Sequence, residues 1–371
     1  MIDLYFYISR ANIYAGAQKF FDDFVHYVDT SHSSRFYCRG IWSLSSSINF
    51  SRTLRFNKRI TFFDSLSIFV RSLVLSKNSD IHFSSSFLAG FLVSLVSLLL
   101  RKKHVYIVHG VLSSRVRRNS IIYYFYLFFD WLLFLVARNL VFIAPCDYYY
   151  AHNLPFVQSK VKSILINNSI SPLGSDFVYP FTSLSSYLAT HDIILPSSVT
   201  CNLCMTARFE SQKSQPVLVE SIKSLPFISV CFFGDGKSID VAKKLAGRYQ
   251  LLDRVFFLGH VDSPYLYYNL FDLFVLVSRW ESMPFSLIEA LRSGLPFVSS
   301  NVGSCDYLSD SGKCGEVLKY TTPDCLADLL LHLSQSKDKL SLMSRSAVDF
   351  FCRELSSSAN YDKIIAFFDT L

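Results

Sequence analysis

The 371 residues carry 36 Lys and Arg against 29 Asp and Glu, a net charge of +7, and are 51% hydrophobic and 16% aromatic. That length suits two domains, each with its own core, and that composition excludes a disordered or fibrous chain. A positive balance in so apolar a chain points to an anionic partner, a membrane surface or phosphates; with no basic helix or aromatic-and-basic binding motif, nucleic acid is not expected.

Met1 to Ser9 reads as a buried first strand, without the basic region and cleavage site of a signal peptide, so the expected location is cytoplasmic. The loop Arg10–Gly16 and an apolar-periodic helix over Ala17–Val28 follow. Arg52 to Arg59 is a basic, solvated surface segment. Ser86–Leu100 is strongly apolar and flanked by Arg101, Lys102 and Lys103. Its fifteen residues fall short of the roughly 20 that span a bilayer, so a helix packed on the first sheet is expected. The strand Val105–Val108 ends in His109-Gly110. Arg115, Arg117 and Arg118 then precede the aromatic-rich run Ile121 to Val136. Basic residues beside aromatic ones suit an anionic membrane interface, and Asp130 and Arg138 argue against a spanning helix.

Asn139–Ala144 and Ser163–Ile166 read as the last strands of a first domain over residues 1–171. Residues 172–198, rich in Ser and Pro with little periodicity, read as a linker. A second domain over 199–355 opens with a strand through Thr206, then the loop holding Arg208 and Lys213. Phe227 to Phe233 is its next strand and ends in Gly234-Asp235-Gly236. The GDGKS segment is not a P-loop, because Cys231 stands where that motif needs glycine. Pro323–Ser334 and Lys337–Leu355 are periodic helices. Nine cysteines without framework spacing read as reduced thiols filling cores; Cys201 and Cys204 form a CxxC without a second pair.

Leu273 to Ser300, LFVLVSRWESMPFSLIEALRSGLPFVSS, is the stretch around which the chain is organised. It reads as a strand over Leu273–Val277, a loop over Arg279–Met283, a helix started by Pro284 and stopped at Gly294 and Pro296, and a second strand. In an open α/β sheet, ligands sit beyond the carboxyl ends of the strands, which is where this loop places Glu281. Glu289 lies three residues after Ser286, so these two share one helix face. A helix N-terminus offers N–H groups to an anion, whereas carboxylates beside it suit hydroxyls; the combination fits a nucleotide sugar.

This stretch resembles the signature of the retaining glycosyltransferases of family 4, which have the GT-B fold, two Rossmann-like domains facing a cleft. Glu281, Glu289, Ala290, Gly294 and Pro296 match the pattern, and Ser282 stands where the family usually has Gly. Ala15-Gly16-Ala17-Gln18 is similar to the family's Gly-Gly-Ala-Glu turn, with Ala15 in place of the first Gly. Arg208 and Lys213 keep the spacing of a family basic pair, with Ala207 and Ser214 in place of its two glycines. Asn167–Ile170, Gly234-Asp235-Gly236, Arg254–Gly259 and Asn301-Val302-Gly303 resemble further family turns, and His109 matches a histidine the family places near the donor sugar.

The resemblance implies transfer of a sugar from a nucleotide sugar with retention. Arg208 and Lys213 would bind the diphosphate, with Gly234, Gly16 and the N–H groups of Ser286 and Leu287 nearby. Glu289 would hold ribose hydroxyls, and Glu281 and His109 would serve the donor sugar. A helix within residues 356–371 would return to the first domain. Without an Asp-x-Asp pair at a strand end, no metal and no other cofactor is expected. A basic, aromatic first domain suggests a lipid-linked saccharide acceptor at a membrane surface, as in bacterial lipopolysaccharide O-antigen or capsule assembly. The alternatives are a membrane-associated nucleotide-sugar-binding protein of the same fold without turnover, and an integral membrane protein.

Overall fold

The computed structural model describes residues 2–8, 16–40, 80–118, 120–154, 157 and 161–371. The chain divides into two units, Met1–Ser171 with Ser357–Leu371, and Pro172–Ser356. The loop Arg10–Ala15 and the basic segment Arg52–Arg59 lie outside the described residues.

The first unit is built on six parallel strands: β1 (Ile2–Ile8), β2 (Phe36–Gly40), β3 (Ile81–Ser85), β4 (Lys103–Val108), β5 (Asn139–Phe142) and β6 (Lys162–Leu165). Their order across the sheet is β2-β1-β3-β4-β5-β6. Helix Gly16–Ser31 buries Phe20, Phe21, Phe24, Val25 and Val28, the apolar stripe visible in its sequence. Helix Ser357–Asp369 closes the same core, with Tyr361 edge-on to Phe24 at 5.3 Å and Phe368 to Phe83 at 4.9 Å.

Ser86–Leu100 forms the helix Phe87–Leu99, and its attachment to the sheet is polar as well as apolar. A side chain at Gly90 would meet the Tyr106 ring at 2.6 Å, so glycine sets how closely the helix approaches β4. Beside it, Ser94 Oγ and Ser84 Oγ flank the two nitrogens of buried His104 at 3.2 and 2.7 Å, and Ser97 Oγ pairs with His82 Nδ1 at 2.6 Å. This seam satisfies polar groups that hydrocarbon would leave unpaired. Among the described residues no helix is long and apolar enough to cross a membrane.

Burial, then neighbouring His82, pushes the His104 pKa down to about 3. The unfolded chain therefore takes up a proton here as pH falls below 6.5, while the folded protein stays neutral, so stability falls with pH across that window. At pH 5 the loss is about 2 kcal/mol, at 1.36 kcal/mol per pH unit. Melting temperature measured from pH 7.5 to 5 is expected to drop less in His104→Gln than in the wild type; equal slopes would mean that His104 carries none of the acid sensitivity.

The second unit repeats the architecture. Its strands are β7 (Cys201–Thr206), β8 (Ile228–Phe233), β9 (Val255–Phe257), β10 (Leu273–Leu276), β11 (Phe297–Ser300) and β12 (Gly315–Leu318). They are parallel in the order β12-β11-β10-β7-β8-β9. The chain builds outward from β7 to β8 and β9, then returns to lay β10 on the other side of β7. The sheet therefore has its switch point between β7 and β10, and ligands of open α/β sheets sit beyond the carboxyl ends of the strands at such a point.

Residues 172–198 are not a linker. They belong to the second unit and carry the helix Leu184–Ala189, whose Leu184, Tyr187 and Leu188 are buried. Tyr187 stacks on Tyr267 at 4.4 Å, and Asn269 donates to the Phe181 carbonyl at 2.8 Å. Three apolar residues at helical spacing were enough to anchor the segment, although Ser and Pro dominate its composition.

Candidate active site

Two loops meet at the switch point of the second unit, one after β7 and one after β10. The first runs from Ala207 to Ser214, where the helix Gln215–Ser221 begins. The second runs from Val277 to Pro284, which caps the helix Phe285–Arg292. Four contacts stitch them together. The Arg279 N–H donates to the Gln212 carbonyl at 2.7 Å, and the Gln212 side-chain amide donates to the Trp280 carbonyl at 2.7 Å. Arg279 Nε donates to Ser214 Oγ at 3.3 Å. Lys213 Nζ lies 2.5 Å from Glu281 Oε1, with their side chains 15% and 9% exposed. The expected phosphate ligand and the expected sugar ligand are thus one ion pair, largely shielded from water.

Glycines on neighbouring turns fix both loops by close backbone approach. A Cβ on Gly234 would sit 2.2 Å from the Ala207 carbonyl oxygen, and one on Gly303 would sit 2.5 Å from that of Glu281. The Ser304 N–H adds a bond to the Ser282 carbonyl at 2.8 Å. Gly234 therefore contacts the Arg208 loop directly, and Gly303 supports the Glu281 loop. The departures from the family glycines are not equivalent. Ala207 and Ser282 have no positive φ and need no glycine, whereas Ser214 takes the left-handed conformation at φ 49° and ψ 37°.

The remaining expected residues fall at different places. Arg208 is exposed and paired with Glu210 at 2.9 Å, while its carbonyl accepts from the Gln215 side chain at 2.9 Å. Glu289 is buried at 7% exposure on the helix face it shares with half-buried Ser286. It lies near buried Tyr268, whose hydroxyl bonds Thr206 Oγ1 at 2.9 Å at the end of β7; burial first, then the Glu289 charge, holds the Tyr268 phenol well above its usual range. The Leu287 N–H donates to the Pro284 carbonyl at 3.2 Å, so within this first turn it is already engaged.

Gly16 and His109 belong to the first unit. Gly16 opens its helix, and Phe20, one turn on, meets the His109 ring edge-on at 5.7 Å. His109 Nε2 is buried and, among the described residues, has no hydrogen-bond partner; burial, then Arg115, pushes the imidazole pKa down to about 3. His109 is therefore neutral at physiological pH. The loop that follows it is held by two buried carboxylates: Asp147 accepts from the Val111 N–H at 2.9 Å, and Asp130 from those of Leu112 and Ser113 at 3.1 and 2.8 Å. The acid that interrupts the aromatic run is thus a fastening for the His109 loop.

Residues 202–348 match the family described as glycosyl transferases group 1. The match lies wholly within the second unit. The chain is 26% identical over 255 residues to the O-antigen biosynthesis glycosyltransferase WbnH of Escherichia coli, covering 66% of this chain and 65% of WbnH. It is 29% identical over 93 residues, about a quarter of each chain, to the Escherichia coli UDP-Gal:alpha-D-GlcNAc-diphosphoundecaprenol alpha-1,3-galactosyltransferase. The crystal structure of Anabaena Alr3699/HepE in complex with UDP and glucose superposes with a TM-score of 0.78 at 15% identity, over 100% of both chains. The two Rossmann-like units are the GT-B fold. The group 1 match includes every residue of both stitched loops, and with them Glu289.

The pair Arg279 and Ser214, and the clasp made by Gln212, were missed in the sequence. Their one signal was position: Arg279 stands two residues before Glu281, and Ser214 directly follows Lys213.

Proposed function

We propose that this protein transfers a sugar from a nucleotide-sugar donor to a lipid-linked saccharide acceptor, with retention and without a required metal ion, in bacterial O-antigen or capsule assembly. The observation that carries this reading is the Lys213–Glu281 pair at the switch point, where the two stitched loops bring a cation and a carboxylate within 2.5 Å. A diphosphate arriving at the switch point draws Lys213 toward its oxygens, with Arg208 on the same loop. The carboxylate so released is placed for sugar hydroxyls, and buried Glu289 for those of the ribose. Fixed cations then neutralise charge as the nucleoside diphosphate leaves. His109, neutral and next to the helix that opens at Gly16, is assigned to the donor sugar.

Relatives support the substrate classes. WbnH is named for O-antigen biosynthesis, the galactosyltransferase for a diphosphoundecaprenol acceptor, and HepE was crystallised with UDP and glucose. For the acceptor side, the helix Ile121–Ala137 presents an apolar surface to solvent. Ile121 is 87% exposed and Phe125 59%, and Arg115, Arg117 and Arg118 just before them are exposed as well. Such a surface suits peripheral attachment to an anionic membrane. Co-sedimentation with anionic liposomes is expected at low salt and is expected to weaken in Ile121→Ser/Phe125→Ser; equal binding by that variant would discard this surface.

The decisive experiment is a thermal-shift and hydrolysis screen against a panel of nucleotide sugars, with and without EDTA. Stabilisation by one donor with slow, EDTA-insensitive release of nucleoside diphosphate is expected. Stabilisation without release, even with acceptor supplied, would favour a binding protein without turnover. No stabilisation by any nucleotide would overturn the assignment of Arg208, Lys213 and Glu289.

A further inference from the structure

Three cations stand on the two stitched loops, and two of them are already neutralised. Arg208 pairs with Glu210, and Lys213 with Glu281. Arg279 is exposed and, among the described residues, pairs with no carboxylate. Its side chain is nevertheless oriented: Nε donates to Ser214 Oγ at 3.3 Å, while that hydroxyl donates onward to the Ser211 carbonyl at 3.4 Å. The backbone N–H of Arg279 is fixed to the Gln212 carbonyl at 2.7 Å. With Nε engaged by the residue that follows Lys213, the two terminal amino groups remain as a fork of donors, the geometry that suits phosphate oxygens.

The second observation is the conformation of Ser214. It is left-handed, at φ 49°, where the resemblance places glycine. A non-glycine residue in that region costs stability and persists where the surroundings require it. Here the side chain that makes glycine unsuitable is the one that orients Arg279.

We propose that Arg279 is a third phosphate-binding residue of this site, positioned by the Ser214 hydroxyl, and that its ligand is the diphosphate of the nucleotide-sugar donor. The inference rests on the donor-site reading given above. In the resting protein the other two cations are held by carboxylates, so Arg279 makes the first strong contact with the anion. Lys213 then exchanges Glu281 for phosphate. Ser214 is a positioning residue, acting only through Arg279.

Isothermal titration of the full-length protein with UDP, GDP, ADP and inorganic pyrophosphate tests this, with circular dichroism and melting temperature confirming that each variant is folded. Arg279→Gln is expected to raise Kd about ten- to hundredfold, and Arg279→Lys to recover only part of the loss, because an ammonium lacks the fork. Ser214→Gly is expected to raise Kd about three- to fivefold with an unchanged or higher melting temperature, and to have no further effect in an Arg279→Gln background. An unchanged Kd in Arg279→Gln, with Lys213→Ala still weakening binding, would overturn the role of Arg279 and leave the donor site standing. An additive effect of Ser214→Gly in that background would overturn the positioning role. Failure of the wild type to bind any of the four probes would overturn the donor-site reading itself.

Discussion

Replacing Lys213 by alanine is expected to lower turnover by a factor on the order of 10²–10³, the usual cost of losing one preorganised donor to developing charge. Two effects act in the same direction. The diphosphate loses a cation that stabilises it as the sugar bond breaks. Glu281, only 9% exposed, also loses the partner that neutralises it and then faces the incoming phosphates as a bare negative charge. The variant should therefore weaken nucleoside diphosphate binding as well as turnover. Arg208→Ala should cost less, since the Arg208 side chain is 56% exposed and already shared with Glu210. Kinetics and calorimetry on the same preparations read both quantities. A loss below about fivefold in Lys213→Ala would remove this residue from the reacting diphosphate.

Glu281→Gln is expected to separate turnover from nucleotide affinity. Glutamine retains the size of the side chain but not its charge, so the sugar hydroxyls lose a charged acceptor and turnover should fall by about 10²-fold. Nucleoside diphosphate, which has no sugar to place, should bind about three- to tenfold more tightly. In the wild type it must draw Lys213 away from the carboxylate, and in the variant it need not. Unchanged turnover would take Glu281 out of the site. Weaker nucleotide binding by a folded variant would mean that the carboxylate holds Lys213 in its working position.

The strands that could be read from sequence alone are those buried by apolar runs, such as Leu273–Leu276 and Ile228–Phe233. Ile81–Ser85 is as buried as either, yet three of its five residues are polar. It escapes a hydropathy reading because the partners of His82 and Ser84 lie 15 and 20 residues further along the chain. The helix Phe87–Leu99 was legible for the complementary reason, its serines being too few to mask the apolar run. In the candidate site, the family pattern located the residues but not their pairing. Lys213 and Glu281 are 68 positions apart, and nothing local to either records that β7 and β10 lie side by side. Ser214 was legible only as a departure from glycine. Its use appears once the loop that carries Arg279 is laid against it.

The path of the chain through the two units sets an order of events during synthesis. All of Pro172–Ser356 is made before the helix Ser357–Asp369, whose Tyr361 and Phe368 fill the core of the first unit. While the ribosome is still translating the second unit, the first has its sheet strands but lacks one wall of its interior. Phe24 and Phe83 await partners that are more than 270 residues away in sequence. The second unit can thus be complete while the first is still open, with its apolar interior within reach of chaperones or of a lipid surface.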